Sequence, residues 1–222
     1  MVELHTHTVF SDGALIPAEL ARRAEVLGTQ ALVITDHVDG SLVEHVVPRL
    51  AAFCAAYNGT EGIRVIPGAE VTHVRPALFE SVVQRARDLG AAVVIGHGET
   101  LSEPVAPGTN RAAIEARVDI LAHPGAITSA DAARAAALRV RLEISGRRGH
   151  CLANGHVAAA AGAAGARVVF GSDAHGPDDL NTWEKAERVL LGAGLTDDQA
   201  QAVRDEARAL AAEALARLEQ SA

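Results

Sequence analysis

The stretch ALVITDH, residues 31–37, runs through four apolar residues and ends in threonine, aspartate and histidine. A strand with one wet face alternates apolar and polar side chains. An unbroken apolar run instead fits a parallel strand covered on both faces. Working outward, the same pattern predicts strands at Val2–His5, Ala31–Thr35, Ile63–Pro67, Ala92–Ile95, Val118–Ala122, Arg139–Ile144 and Arg167–Phe170. Helical segments are expected between them at Pro17–Leu27, Leu42–Tyr57, Leu78–Leu89, Ser129–Ala137 and Val157–Ala164. Such alternation predicts an α/β fold. Seven units suit a (β/α)7 TIM-like barrel, with an open doubly wound sheet as the competitor.

No linker, charge block or composition shift divides the chain, so one domain is expected over residues 1–222. Two further helices are expected at about 181–191 and 197–218. The second spaces Val203, Ala207, Leu210, Ala214 and Leu218 along one face and should pack back on the barrel. The longest expected loop, ETLSEPVAPGTN at 99–110, follows a strand and is a candidate for shaping a site.

Aromatic residues are only 3 % of the chain, so Ala, Val, Leu and Ile must build the core. The net charge is −8, with no long cluster of arginines, so long nucleic acid is not an expected partner. A small phosphorylated molecule is still compatible with this balance. Cys54 and Cys151 form neither a CxxC pair nor a disulfide framework, which suits a reducing cytoplasm. No signal-like or membrane-spanning run is visible, and no membrane association is expected.

Ionisable residues fall where the strands end. The first strand leads into HTHTVFSDG (5–13), which carries His5, His7 and Asp12. His5 and His7 are two residues apart and so point to the same side of a strand. ALVITDH ends in Asp36 and His37, IRVIPGAE in Glu70, and AAVVIGHGE in His97 and Glu99. VDILAHPG carries His123, RVRLEIS carries Glu143, and ARVVFGSDAH ends in Asp173 and His175. In a parallel barrel these ends share the rim that bears catalytic groups. Imidazoles and carboxylates without thiolates favour Zn, Mn or Fe. A catalytic zinc takes three protein ligands, so this many donors imply two or three divalent ions with a bridging carboxylate. Clusters of that kind suit phosphoryl transfer to water.

HTHTVFSDG, TDH, PGAE, GHGE, LAHPG and GSDAH, in this order over about residues 3–176, resemble the polymerase and histidinol phosphatase (PHP) family of phosphoesterases. The resemblance implies a distorted seven-stranded barrel holding up to three metals. It implies one ion on His5, His7 and Asp173, a second on Asp12, His37 and His175, and a third on His97 and His123. Glu70 would bridge the first and third. It further implies hydrolysis of a phosphomonoester by a metal-activated hydroxide, in a stand-alone, histidinol-phosphatase-like member. Glu70 stands at the reaction centre in that scheme, with Asp173 or His175 assisting proton transfer to the leaving group.

Around the ligands, Arg147 and Arg148 are candidates to grip phosphate, with a solvated basic turn as the alternative. Arg111 and His150 are further substrate-side candidates, and Asn154 is expected to cap a helix. Glu99 and Asp36 are expected to orient His97 and His37. Glu143 is expected to bond either within the site or to Arg147. Three competing readings are an amidohydrolase or deaminase, a nuclease or nucleotide phosphatase working on oligonucleotide ends or bisphosphates, and a metal-stabilised accessory domain. The first suffers from the lysine supply: Lys185, on a late helix, is the only lysine available for carboxylation.

Overall fold

The computed structural model describes residues 1–221. In chain order the strands are β1 (Val2–Glu3), β2 (Ala31–Ile34), β3 (His37–Val38), β4 (Arg64–Val71), β5 (Val93–His97), β6 (Ile120–Ala122), β7 (Arg141–Ser145) and β8 (Val168–Gly171). The helices are α1 (Pro17–Val26), α2 (Val43–Asn58), α3 (Pro76–Asp88), α4 (Thr109–Glu115), α5 (Ser129–Leu138), α6 (Asn154–Ala164), α7 (Trp183–Gly192) and α8 (Asp197–Ser221). All pairing is parallel, in the order β1-β2-β4-β5-β6-β7-β8. β3 resumes the β2 position after a break and pairs His37 with Glu70 of β4. The result is a near-closed barrel of seven strand positions.

The seam between β1 and β8 is thin. A single parallel bridge joins Thr6 to Ala174, where the His7 N–H donates to the Ala174 carbonyl at 2.8 Å. The Glu3 carboxylate reinforces it by accepting from the N–H groups of Leu4 (3.0 Å), His5 (3.3 Å) and Ser172 (3.1 Å). Burial nevertheless pushes the Glu3 carboxyl up to about 7.

The period-2 alternation of each strand sorts its side chains into two cores. Leu32, Ile34, Val94, Leu121, Leu142 and Ile144 face the helical layer. Leu4, Val33, Ile66, Val93, Ile95, Ile120 and Val169 fill the barrel interior. α8 adds Ala207, Leu210, Ala211 and Ala214 to that inner core. The expected back-packing of the last helix is therefore a plug at the N-terminal ends of the strands. Arg141, only 4 % exposed, fastens it through Glu206 (2.6 Å) and Glu213 (3.2 Å).

Two local expectations need correction. The segment after β5 is not loop throughout, because α4 begins at Thr109. Asn154 caps nothing: its amide exchanges both hydrogen bonds with the Ser145 backbone, tying α6 to the end of β7. Among the described residues, no helix is long and apolar enough to cross a membrane.

Candidate metal centre

Parity carries the inner-core positions of β4 and β5 on to Glu70 and His97 at the C-terminal rim, opposite the α8 plug. His5 and His7 arrive just past β1, on a turn that doubles back so tightly that a Cβ on Gly13 would lie 2.4 Å from the His7 carbonyl oxygen. Asp36 pins this turn. It accepts from the Thr8 N–H (2.7 Å), the Thr8 hydroxyl (2.7 Å) and the Ser11 hydroxyl (2.6 Å), and so fixes the approach of Asp12.

The rim residues gather into overlapping donor groups, each with its atoms within 4.8 Å of one another. In one, the Glu70 Oε2 lies 3.4 Å from His5 Nε2 and 3.6 Å from His7 Nε2. Asp173 Oδ1 faces the same nitrogens at 3.7 and 3.2 Å. In the second, Asp12 Oδ1 is 3.1 Å from His175 Nε2 and 3.5 Å from His37 Nε2. In the third, Glu70 Oε1 is 3.5 Å from His123 Nε2, with the His97 ring edge-on to His123 at 4.6 Å. Two ligands on bonds of about 2.1 Å at the tetrahedral angle sit roughly 3.4 Å apart. The donor spacings match that separation.

The buried atoms themselves test the fit. His5 Nε2, both ring nitrogens of His7 and both oxygens of Glu70 have no hydrogen-bond partner. Buried polar atoms are satisfied or coordinated, and orphaned nitrogens and carboxylate oxygens turned toward one space suit a divalent cation. Burial alone would raise Glu70, yet His5 and His37 beside it hold its carboxyl well below the usual range. Asp173 is depressed in the same way, against its burial, by His5 and His7. The bond from His175 depresses Asp12. The carboxylates are therefore ionised donors.

One orienting partner is decisive. Glu143 accepts from His5 Nδ1 at 2.7 Å and from the His123 N–H at 3.1 Å, which aims His5 Nε2 inward. This is the within-site alternative of the two expected for Glu143. It requires Gly171, where a Cβ would lie 2.0 Å from Glu143 Oε1. His123 (φ 30°) and Asp173 (φ 53°) hold left-handed backbone conformations, a cost of order 1–3 kcal/mol each that concentrates at functional sites.

Residues 3–97 match the family model described as PHP domain. Uncharacterized protein MJ1295 of Methanocaldococcus jannaschii is 45 % identical over 199 residues, covering 89 % of this chain and 91 % of that protein. The chain belongs to the PHP-domain family. Solved structures share its fold, two of them as follows. One is an archaeal ribonuclease P with mature tRNA, where the matching chain gives TM-score 0.72 and 17 % identity over 96 % of this chain and 91 % of that one. The other is histidinol phosphate phosphatase from Lactococcus lactis, solved with Zn, L-histidinol and phosphate. It gives TM-score 0.60 and 16 % identity over 88 % and 94 % of the two chains.

Other expected site residues of this PHP protein divide. Arg147 reaches the cluster: one terminal nitrogen donates to the Asp173 carbonyl at 3.1 Å and sits against His175 Nδ1. His150 also belongs there, stacked on His123 at 4.1 Å, with burial lowering its imidazole to about 4. Arg148 is exposed. Arg111 does not reach the cluster; it pairs with Asp131 at 2.6 Å and Glu115 at 3.7 Å, between α4 and α5. Neither expected orienting carboxylate has that role. Asp36 holds the Thr8–Ser11 turn instead of His37. Glu99 accepts from the N–H groups of Gly108 (3.0 Å) and Asn110 (2.9 Å) and organises the start of α4. Sequence reasoning missed Glu103, whose carboxylate meets His73, His97 and His150. A cavity of about 620 Å³ opens beside the cluster, lined by Phe10, Asp12, His37, Asp39, Leu42 and Glu103 among others.

Proposed function

We propose that this PHP protein is a metal-dependent phosphoesterase that hydrolyses a small phosphomonoester. The observation that carries the reading is the convergence of nine rim donors, His5, His7, Asp12, His37, Glu70, His97, His123, Asp173 and His175, with orphaned buried atoms at its centre. These residues would hold two or three ions of Zn, Mn or Fe, with Glu70 shared between two groups. When bound, such ions supply an activated water and neutralise charge on the phosphoryl oxygens. The chain's own part is positioning and proton handling. Arg147, tethered at the Asp173 backbone, presents its guanidinium at the mouth for a phosphoryl oxygen. Asp173 Oδ2 faces Arg147 Nε at 3.7 Å and His150 Nε2 at 3.9 Å, where the ionised carboxylate would accept a proton from the attacking water and pass it toward the leaving oxygen, with His175 beside it.

The cavity favours a small substrate. Asp12, Asp39 and Glu103 line it beside Phe10 and Leu42, and a polyanion entering there would meet carboxylates. A leaving group with a cationic amine and a flat ring, as in histidinol phosphate, suits those walls. The decisive experiment is phosphate release by the Mn-loaded protein from histidinol phosphate, sugar phosphates, mononucleotides, 3′,5′-bisphosphates and short oligonucleotides. Turnover of a monoester is expected. Release from oligonucleotides or bisphosphates alone would replace the reading with end-processing. The fold shared with a ribonuclease P chain favours one second reading, a subunit of an RNA–protein assembly. Silence across the panel combined with RNA binding would establish that reading.

A further inference from the structure

Three donors at the mouth lie outside the nine-residue scheme except for the one they share with it. His73 follows β4, and Glu103 lies in the segment between β5 and α4. Glu103 Oε2 is 3.1 Å from His73 Nε2 and 3.1 Å from His97 Nε2. The three donors fall within 4.8 Å of one another and come from three separate segments.

His97 decides what this contact means. Its Nδ1 faces the Gly98 carbonyl at 3.1 Å, and a carbonyl only accepts, so the ring hydrogen sits on Nδ1. Nε2 is then the ring nitrogen that faces the Glu103 carboxylate. A contact that close is held by a positive charge between the two atoms, either a proton on Nε2 or a cation that both ligate. His150 Nε2, 3.4 Å from the other oxygen, steers the carboxylate from behind. His73 holds a left-handed backbone (φ 53°), the third strained histidine or aspartate at this rim.

We propose that His73, His97 and Glu103 form an outer seat for one divalent cation, alternative to the inner seat of His97, His123 and Glu70. The proposal rests on the reading of the cluster as a metal centre. The two seats exclude each other because both need His97 Nε2. Exposure gives them an order: the His73 and Glu103 side chains are 44 % and 37 % exposed, whereas those of His123 and Glu70 are 1 % and 0 %. A cation from the cavity therefore meets the outer seat first. It moves inward by exchanging His73 and Glu103 for His123 and Glu70 while His97 stays bound. Two histidines and one carboxylate leave positions open for water, as a transit site requires.

The test is Co(II) titration, read by visible absorption and by metal content after desalting, with circular dichroism confirming the fold of each variant. His123→Ala removes the inner seat. It is expected to keep the wild-type number of Co(II) ions, with the last bound at least tenfold more weakly. Adding Glu103→Gln or His73→Ala to it should then lose that ion. Loss already in His123→Ala, or retention in the double variants, overturns the outer seat. Should His123→Ala not fold, stopped-flow uptake by His73→Ala alone gives the answer. Slowing of the last Co(II) by tenfold at unchanged final content supports the seat, and an unchanged rate refutes it. Failure of all variants and the wild type to bind Co(II) removes the metal-centre reading too, whereas a defect absent only from the last ion removes the outer seat alone.

Discussion

At the scale of single residues, the centre depends on side chains that touch no substrate. Glu143 sets His5 through one oxygen and the His123 backbone through the other, and Gly171 leaves room for it. Gly171→Ala would drive Glu143 off His5. Removing such an orienting partner costs about 10–100-fold in metal affinity or activity, so Glu143→Ala should show a shift of that size in a Zn or Mn titration. Glu70 is shared by two donor groups, and Glu70→Ala should lower phosphate release by roughly 10³-fold while the circular dichroism spectrum stays unchanged. Unfolding of that variant would mean that Glu70 is structural first. The nine rim donors were legible because a strand end has only one rim to point at. Asp36 and Glu99 were misassigned for an equally physical reason. Adjacent strand residues point to opposite sides, so Asp36 beside His37 turns away from it. Glu99, past the strand end, follows the loop. Glu103 gave no signal, because its partners His73 and His150 are 30 and 47 positions away in a segment without periodicity.

At the scale of elements, the division of labour runs along the barrel axis. α8 closes one end with Leu210, which is fully buried, and the donors occupy the other. Leu210→Ala should cost about 3 kcal/mol by cavity formation, lowering the melting temperature by roughly 6–12 °C. Metal content should not change, because the plug and the rim do not touch. The Arg141–Glu206 pair makes the same helix sensitive to pH. Burial opposes ionisation of Glu206, but Arg167 and Arg141 together hold its carboxyl below the ordinary value. Its stabilising contribution is thus complete above the unfolded-state value near 4.5 and fades as pH falls through the lower folded value. Glu206→Gln should lose about 2 kcal/mol at pH 7, and the gap to wild type should close in acid melts. A gap independent of pH would show that packing, not charge, holds the helix. The helical spacing of α8 announced that it packs, but only the in-and-out sorting of strand residues showed where. α4 was missed because seven residues are too few to display a helical period.

For the whole molecule, the centre and the barrel are mutually dependent. Carboxylates and imidazoles buried at 0–2 % exposure and short of hydrogen bonds are a liability that bound cations remove. At an ion concentration a thousandfold above its dissociation constant, binding adds about 4 kcal/mol. Chelation should therefore lower the melting temperature by about 10 °C, reversibly on return of Mn or Zn. A melting curve indifferent to chelator would count against ions in the native protein. The thin β1–β8 seam also has a consequence in time. His5, His7 and Asp12 precede every other rim donor in the chain, whereas Asp173 and His175 follow the last barrel strand, across the Thr6–Ala174 bridge. A nascent chain that has not yet reached Asp173 lacks both, so it cannot assemble a complete donor set however early its first strands pair. Synthesis itself keeps the centre incomplete until the barrel can shut, and the act of closing the seam is what brings it into being.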